Sequence, residues 1–267
     1  MSDDVRSVFD TSLVVASRGN GEYNIGADQP LLNFNSAFGG WALGVLLAAI
    51  EAEASDLAPL SSVNAVFLKA IPAAPMTVRV QLLRRGRQAS FYRAELVLSE
   101  ADALLVTADF VFSPLKDADI SAKRVFPEVT PFEDAPILPS TPGPLWLKDF
   151  EQRIGAGQPF SAQERPSSAF WFSDPGGRPW DQRSILMVSD TPMPRTFFVD
   201  PMPRFGATVS YCLHVVSDIE AQAGDAGKPL LIEADSDSVS NGRFTQAAYI
   251  WSADGVLLAV SNQLAFY

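Results

Sequence analysis

The chain has 267 residues, 47% of them hydrophobic and 19% charged, which is material for one large globular domain or two small ones. A net charge of −11 argues against nucleic acid or an anionic membrane as the main partner, since both reward Lys and Arg. A single cysteine, Cys212, excludes an internal disulfide and fits a cytoplasmic protein. The opening Met-Ser-Asp-Asp-Val-Arg holds acids and no apolar run, so no signal peptide is expected.

Residues 5–32 hold short mixed segments, with Gly19-Asn20-Gly21 and Asp28-Gln29-Pro30 as turn signals. Phe38 to Ile50 then runs thirteen positions without a polar side chain, rich in Ala and Leu, and reads as a helix. A helix apolar all round must be enclosed on every side, and at roughly 20 Å it is too short for a bilayer. A curved sheet wrapped around it is the simplest enclosure. Asn33-Phe34-Asn35-Ser36 can cap its start, and Gly39-Gly40 permit close backbone approach. Strand-like runs follow at Val63–Leu68, Met76–Leu83, Ser90–Leu98 and Leu104–Phe112. One helix followed by an antiparallel meander is an α+β pattern.

Seven prolines between 114 and 144, with no periodicity, read as a linker crossing the surface. The second half then repeats the first. Trp146–Ile154 and Ala169–Phe172 are predicted strands, and Asp181–Asp190 is a short helix. Further strands are predicted at Ala207–Val216, Pro229–Asp235, Arg243–Trp251 and Leu257–Phe266. An ungapped shift of 153 matches Phe91 with Phe244, Ala94 with Ala247, Ser99 with Ser252, and Leu104-Leu105 with Leu257-Leu258. The agreement points to an internal duplication. Residues 1–113 would form one repeat, 114–145 the linker and 146–267 the second repeat.

A sheet-wrapped helix repeated in one chain resembles the double-hotdog acyl-CoA thioesterases of the bacterial acyl-CoA thioesterase II type. Phe38-Gly39-Gly40 and the closing Asp254–Ala259…Gln263 hairpin carry the likeness. The resemblance implies an Asp–Thr–Gln set that positions a hydrolytic water. These positions match Asp190 in Met187-Val188-Ser189-Asp190, Thr208 in Gly206-Ala207-Thr208-Val209, and Gln263 in Val260-Ser261-Asn262-Gln263. Ser210-Tyr211 stand where some members have Asp-His, a departure that bears on substrate preference. At the first-repeat positions, Phe110 faces Gln263 and Val63 faces Thr208, so one active site per chain is expected. Thioester hydrolysis suits these residue types, with Asp190 as base, Thr208 and Gln263 as orienting groups, and Gly39-Gly40 as backbone donors to the oxyanion.

Each residue also has a plainer reading. Asp190 before Thr191-Pro192 could end a helix or start a turn. Thr208 and Gln263 could be ordinary strand residues, and Gly39-Gly40 packing glycines. His214 is the only histidine, and no Gly-x-Ser-x-Gly elbow accompanies it. Cys212 and His214 make too small a set for a metal, so neither metal nor cofactor is expected. Arg84-Arg85-Gly86-Arg87 reads as a solvated turn or a contact for coenzyme A phosphates. The expected activity is hydrolysis of acyl-CoA to free acid and coenzyme A in fatty acid metabolism, with the acyl chain in an apolar tunnel near the second helix. The alternatives are a non-catalytic acyl-binding module and a hotdog hydratase or dehydratase, which relies on a His–Asp pair. The expected partner is acyl-CoA, with no nucleic acid and no membrane insertion, in a homo-oligomer, dimer or tetramer. The residues that bind the substrate are not assigned.

Overall fold

The computed structural model describes residues 7–267, apart from positions 27, 29, 30, 117, 118, 121 and 203. Helix α1 (Val8–Ser12) leads into a hairpin of β1 (Ala16–Gly19) and β2 (Glu22–Ile25). Its turn takes positive φ at Gly19, Asn20 and Gly21, the conformation two glycines and an asparagine accept most readily. The turn predicted at 28–30 lies, Asp28 excepted, outside the described residues. Helix α2 (Gly39–Glu53) forms where the apolar run predicts and is buried continuously from Gly40 to Ile50. Strands β3 (Leu60–Phe67), β4 (Met76–Arg85), β5 (Ser90–Leu98) and β6 (Ala103–Phe112) follow.

The second half supplies β7 (Glu151–Ala156), β8 (Ser168–Ser173) and helix α3 (Gln182–Val188). It continues with β9 (Ala207–Val215), helix α4 (Ile219–Ala223) and β10 (Leu230–Asp235). The short β11 (Val239–Ser240), β12 (Arg243–Ser252) and β13 (Leu257–Phe266) complete the chain. These strands form one antiparallel sheet, ordered β1-β2-β4-β5-β6-β3-β9-β13-β12-β10-β8-β7 with β11 beside β12. The halves join where β3 pairs with β9, Val63 opposite Leu213. Helices α2 and α3 pack together in a single core that draws residues from both halves.

The repeat is present, but its register differs from the ungapped match. In the first half Ala94 lies opposite Ala108; in the second, Ala248 lies opposite Ser261. A shift of 153 carries β6 onto β13, whereas β5 needs 154 to reach β12. The connection between the paired Trp251 and Leu257 (252–256) is therefore one residue shorter than that between the paired Val97 and Leu104 (98–103). Side chains alternate with period two, so a one-residue slip exchanges the faces. Phe91 on the outer face consequently does not correspond to buried Phe244, and the Ala94–Ala247 match fails for the same reason. The Leu104-Leu105 match survives. The strand ladders also set Val63 against Tyr211 and Leu60 against Thr208, not Val63 against Thr208.

Two further expectations change. Residues Leu145–Asp149 form a 3₁₀ turn rather than the start of a strand, because Trp146 is held elsewhere. Its indole N–H donates to Asn33 Oδ1 at 2.7 Å and its ring stacks on Phe38 at 4.5 Å. The proline-rich stretch does not simply cross the surface. Phe126 and Phe132 pack against Trp171, Thr130 accepts from the Trp171 indole at 2.8 Å, and Ile137 bridges to Arg153. This covers the outer face of β8, which is why all six of its residues are buried.

Candidate active site

Asp181 caps α3 by accepting from the Ser184 N–H, and Ser184 returns the bond, so the short helix has a fixed start. Its other end runs through Ser189 to Asp190 and meets the N-terminus of α2. There the Phe38 side chain supplies no cap, so the first amides of α2 are open and carry the positive end of the helix dipole. The Asp190 carboxylate occupies that place. A Cβ on Gly39 would lie 2.6 Å from Asp190 Oδ2, and a Cβ on Gly40 would lie 2.2 Å from the Met187 carbonyl oxygen. Glycine at both positions lets the two helices and the acid approach this closely.

Two strand residues hold the acid from the sheet side. Gln263 Nε2 donates to Asp190 Oδ1 at 2.9 Å, and Thr208 Oγ1 donates to Gln263 Oε1 at 2.9 Å. The three polar residues predicted from sequence are thus one hydrogen-bonded chain, with Thr208 fixing the amide that faces the carboxylate. They touch each other directly. Burial pushes the Asp190 carboxyl up to about 7, against the opposing pulls of the Gln263 amide and the Gly40 backbone amide. Gly40, predicted as an oxyanion donor, therefore serves the carboxylate. The first-repeat counterparts of Thr208 and Gln263 are Leu60 and Phe110, both apolar.

Sequence reasoning noted Tyr211 only as a departure bearing on substrate preference and did not place it in a second layer behind the site. Tyr211, opposite Gln263 on β9, is buried and its hydroxyl bonds Ser189 Oγ, while Ser189 donates to the Leu186 carbonyl at 2.6 Å. Burial, and secondarily the nearby Asp190 charge, hold the Tyr211 phenol well above its usual range. Further along, Arg195 is fully buried, with no hydrogen-bonded carboxylate among the described residues. It donates to Gln246 Oε1 and Ser168 Oγ, each at 2.9 Å, and to the Met193 carbonyl at 2.6 Å. Burial pulls its guanidinium down to about 9, opposed by Asp235. Neither an arginine among apolar neighbours nor Ser189 before Asp190 carries a sequence motif.

The remaining candidates sit apart. His214 lies on the outer face of β9, exposed, with Nδ1 3.2 Å from Ser62 Oγ. Arg85 pairs with Asp56 and Tyr92 on an exposed hairpin. Beside Thr191 lies a crevice of only about 10 Å³, and a larger cavity of about 230 Å³ lies between the end of α2, Phe112 and Gln182 at the start of α3.

A buried helix inside an antiparallel sheet, doubled in one chain, defines a double-hotdog protein. Residues 29–112 match the acyl-CoA thioesterase N-terminal domain and residues 128–267 the acyl-CoA thioesterase C-terminal domain. The chain belongs to the acyl-CoA thioesterase family. Its fold is shared with a hot dog fold protein of unknown function from Alicyclobacillus acidocaldarius (TM-score 0.88, 24% identity, 98% of both chains covered). It is also shared with an acyl-CoA thioesterase II of Mycobacterium marinum (TM-score 0.74, 17% identity, 97% of both chains). No curated protein matches the sequence.

Proposed function

We propose that the protein hydrolyses acyl-CoA thioesters at a single site per chain, with Asp190 as general base. The observation that carries this reading is a carboxyl poised at about 7, held between Gln263 and the N-terminus of α2. A base whose carboxyl is raised by burial to about 7 titrates near neutral pH and can both take and return a proton. Water would lose its proton to Asp190 while its oxygen attacks the thioester carbon. The C–S bond then breaks, and the proton passes to the departing thiolate, giving free acid and coenzyme A. Gln263 and Thr208 hold the base in place. Gly39, whose N–H opens the helix without an acceptor inside it, is assigned to the developing oxyanion.

The hydratase reading needs a His near the acid, and the lone His214 on the opposite face counts against it. Thiol release measured over a series of acyl-CoAs tests the proposal. Hydrolysis abolished by Asp190→Asn supports it; tight acyl-CoA binding without thiol release would make the protein an acyl-binding module instead.

A further inference from the structure

Past Asp190, the segment Thr191–Met193 lies over the inner face of β7, β8 and β10 and closes the small crevice there. Phe170, Phe172, Ile232 and Met193 make it apolar, and Gln152 on β7 lines it as well. Gln152 stands opposite Phe172 in the ladder and is only 6% exposed. Its side-chain amide has no hydrogen-bond partner among the described residues, yet its atoms are not sealed off. The other polar side chains on this wall are engaged. Ser168 Oγ accepts from Arg195, and Thr191 Oγ1 donates to the Val188 carbonyl at 2.7 Å.

Solvent still reaches the Gln152 amide, and a chain filling the crevice would cut that contact, which is costly unless the chain itself bonds the amide. A leucine or methionine would fill the same place without that cost. The carboxamide offers both a donor and an acceptor, so its natural complement is a hydroxyl or oxo oxygen. The crevice starts at the residue after Asp190, which is where an acyl chain leaving the thioester carbon would run.

We propose that this crevice is the acyl subsite and that Gln152 makes it select acyl groups carrying a hydroxyl or oxo oxygen over plain chains of equal length. The proposal rests on the hydrolase reading above. Admitting a chain requires the wall at Thr191–Met193 to move outward, and the unbranched thioether of Met193 is able to repack around it. A site built to bond a substrate oxygen rejects the analogue lacking it, because the buried amide is then left unpaired.

The test compares hexanoyl-, octanoyl- and decanoyl-CoA with their hydroxy and oxo counterparts, substituted at successive chain positions. Wild-type enzyme should favour one oxygenated series by about tenfold or more in kcat/KM. Gln152→Leu should erase that preference, read as the ratio of kcat/KM between the oxygenated and plain series within the variant, and Gln152→Met provides a same-length alternative should the leucine variant misfold. Thiol release with no preference in wild type, or with a preference unchanged in both variants, overturns the subsite and leaves hydrolysis standing. If no thioester releases thiol, the hydrolase reading fails, and calorimetric binding of the same pairs to wild type and Gln152→Met then decides the subsite by itself. Equal affinities for plain and oxygenated chains would overturn it.

Discussion

Asp190 is held by two contacts that favour its charge, from the Gln263 amide and the Gly40 backbone amide, and by burial that opposes it, and burial prevails. Its activity should therefore rise with pH, with kcat/KM following one ionisation near 7, and Asp190→Asn should lower turnover by about 10²–10⁴-fold. The same imbalance has a sign in stability. The folded pKa is raised above the unfolded value of 3.8, so the native state keeps its proton longer than the unfolded chain. Wild-type stability is thus lost between about pH 4 and 7 and stays at its reduced level above that window. Denaturant midpoints across this range should show Asp190→Asn gaining on wild type up to about pH 7, then running parallel. A difference that shrinks with pH would contradict the raised pKa. Gln263→Leu removes a contact to the charged form, so it should push the acid limb of the pH profile upward as well as lowering turnover. Thr208→Ala, which only fixes the amide, should do the same to a smaller extent, and the two losses should not add.

At the level of elements, the meeting of α3 with the start of α2 creates the site, and the two glycines divide the work. Gly39→Ala would set a methyl against Asp190 Oδ2, displacing the base, and its other close neighbour, the Phe67 ring at 3.2 Å, need shift by only a few tenths of an ångström. It should cost turnover far more than melting temperature. Gly40→Ala would drive against the Met187 backbone and part the helices, an overpacking cost of about 1–3 kcal/mol that a thermal melt reads directly. Equal behaviour of the two variants would break the distinction. The buried helix was legible because thirteen apolar positions allow no other placement, and the strands because alternation is a local signal. Asp190, Thr208 and Gln263 were legible only through resemblance, since nothing in their local sequence separates them from turn and strand residues. The register of the repeat was not legible. Chance identities at Phe91 and Ala94 favoured an ungapped alignment, and only the ladder reveals the shortened turn. The Trp146 turn was missed because its partners, Asn33 and Phe38, lie more than a hundred residues earlier.

On the scale of the whole molecule, the two repeats are divided in sequence but continuous in packing. The β3–β9 ladder runs the sheet through both, the core joins α2 to α3, and Arg183 pairs with Glu51 across the same seam. The proline-rich stretch adds a second tie, since it leaves the first repeat and lays Phe126 and Phe132 over Trp171 and Trp251 of the second. Cooperativity follows from shared burial rather than from chain length. Opening one half would expose the apolar flank of α2 or α3 and one edge of the central ladder, which neither half can cover alone. Unfolding should therefore be a single transition, with tryptophan fluorescence and far-ultraviolet circular dichroism tracing the same curve. The first repeat, residues 1–113, should fail to fold when produced alone. Phe126→Ala should lower the common midpoint and keep one transition, because the contact it loses belongs to the shared structure. Two resolved transitions in wild type would show that each repeat carries its own stability, and the tie across β3 and β9 would then be an interface between domains rather than part of one core.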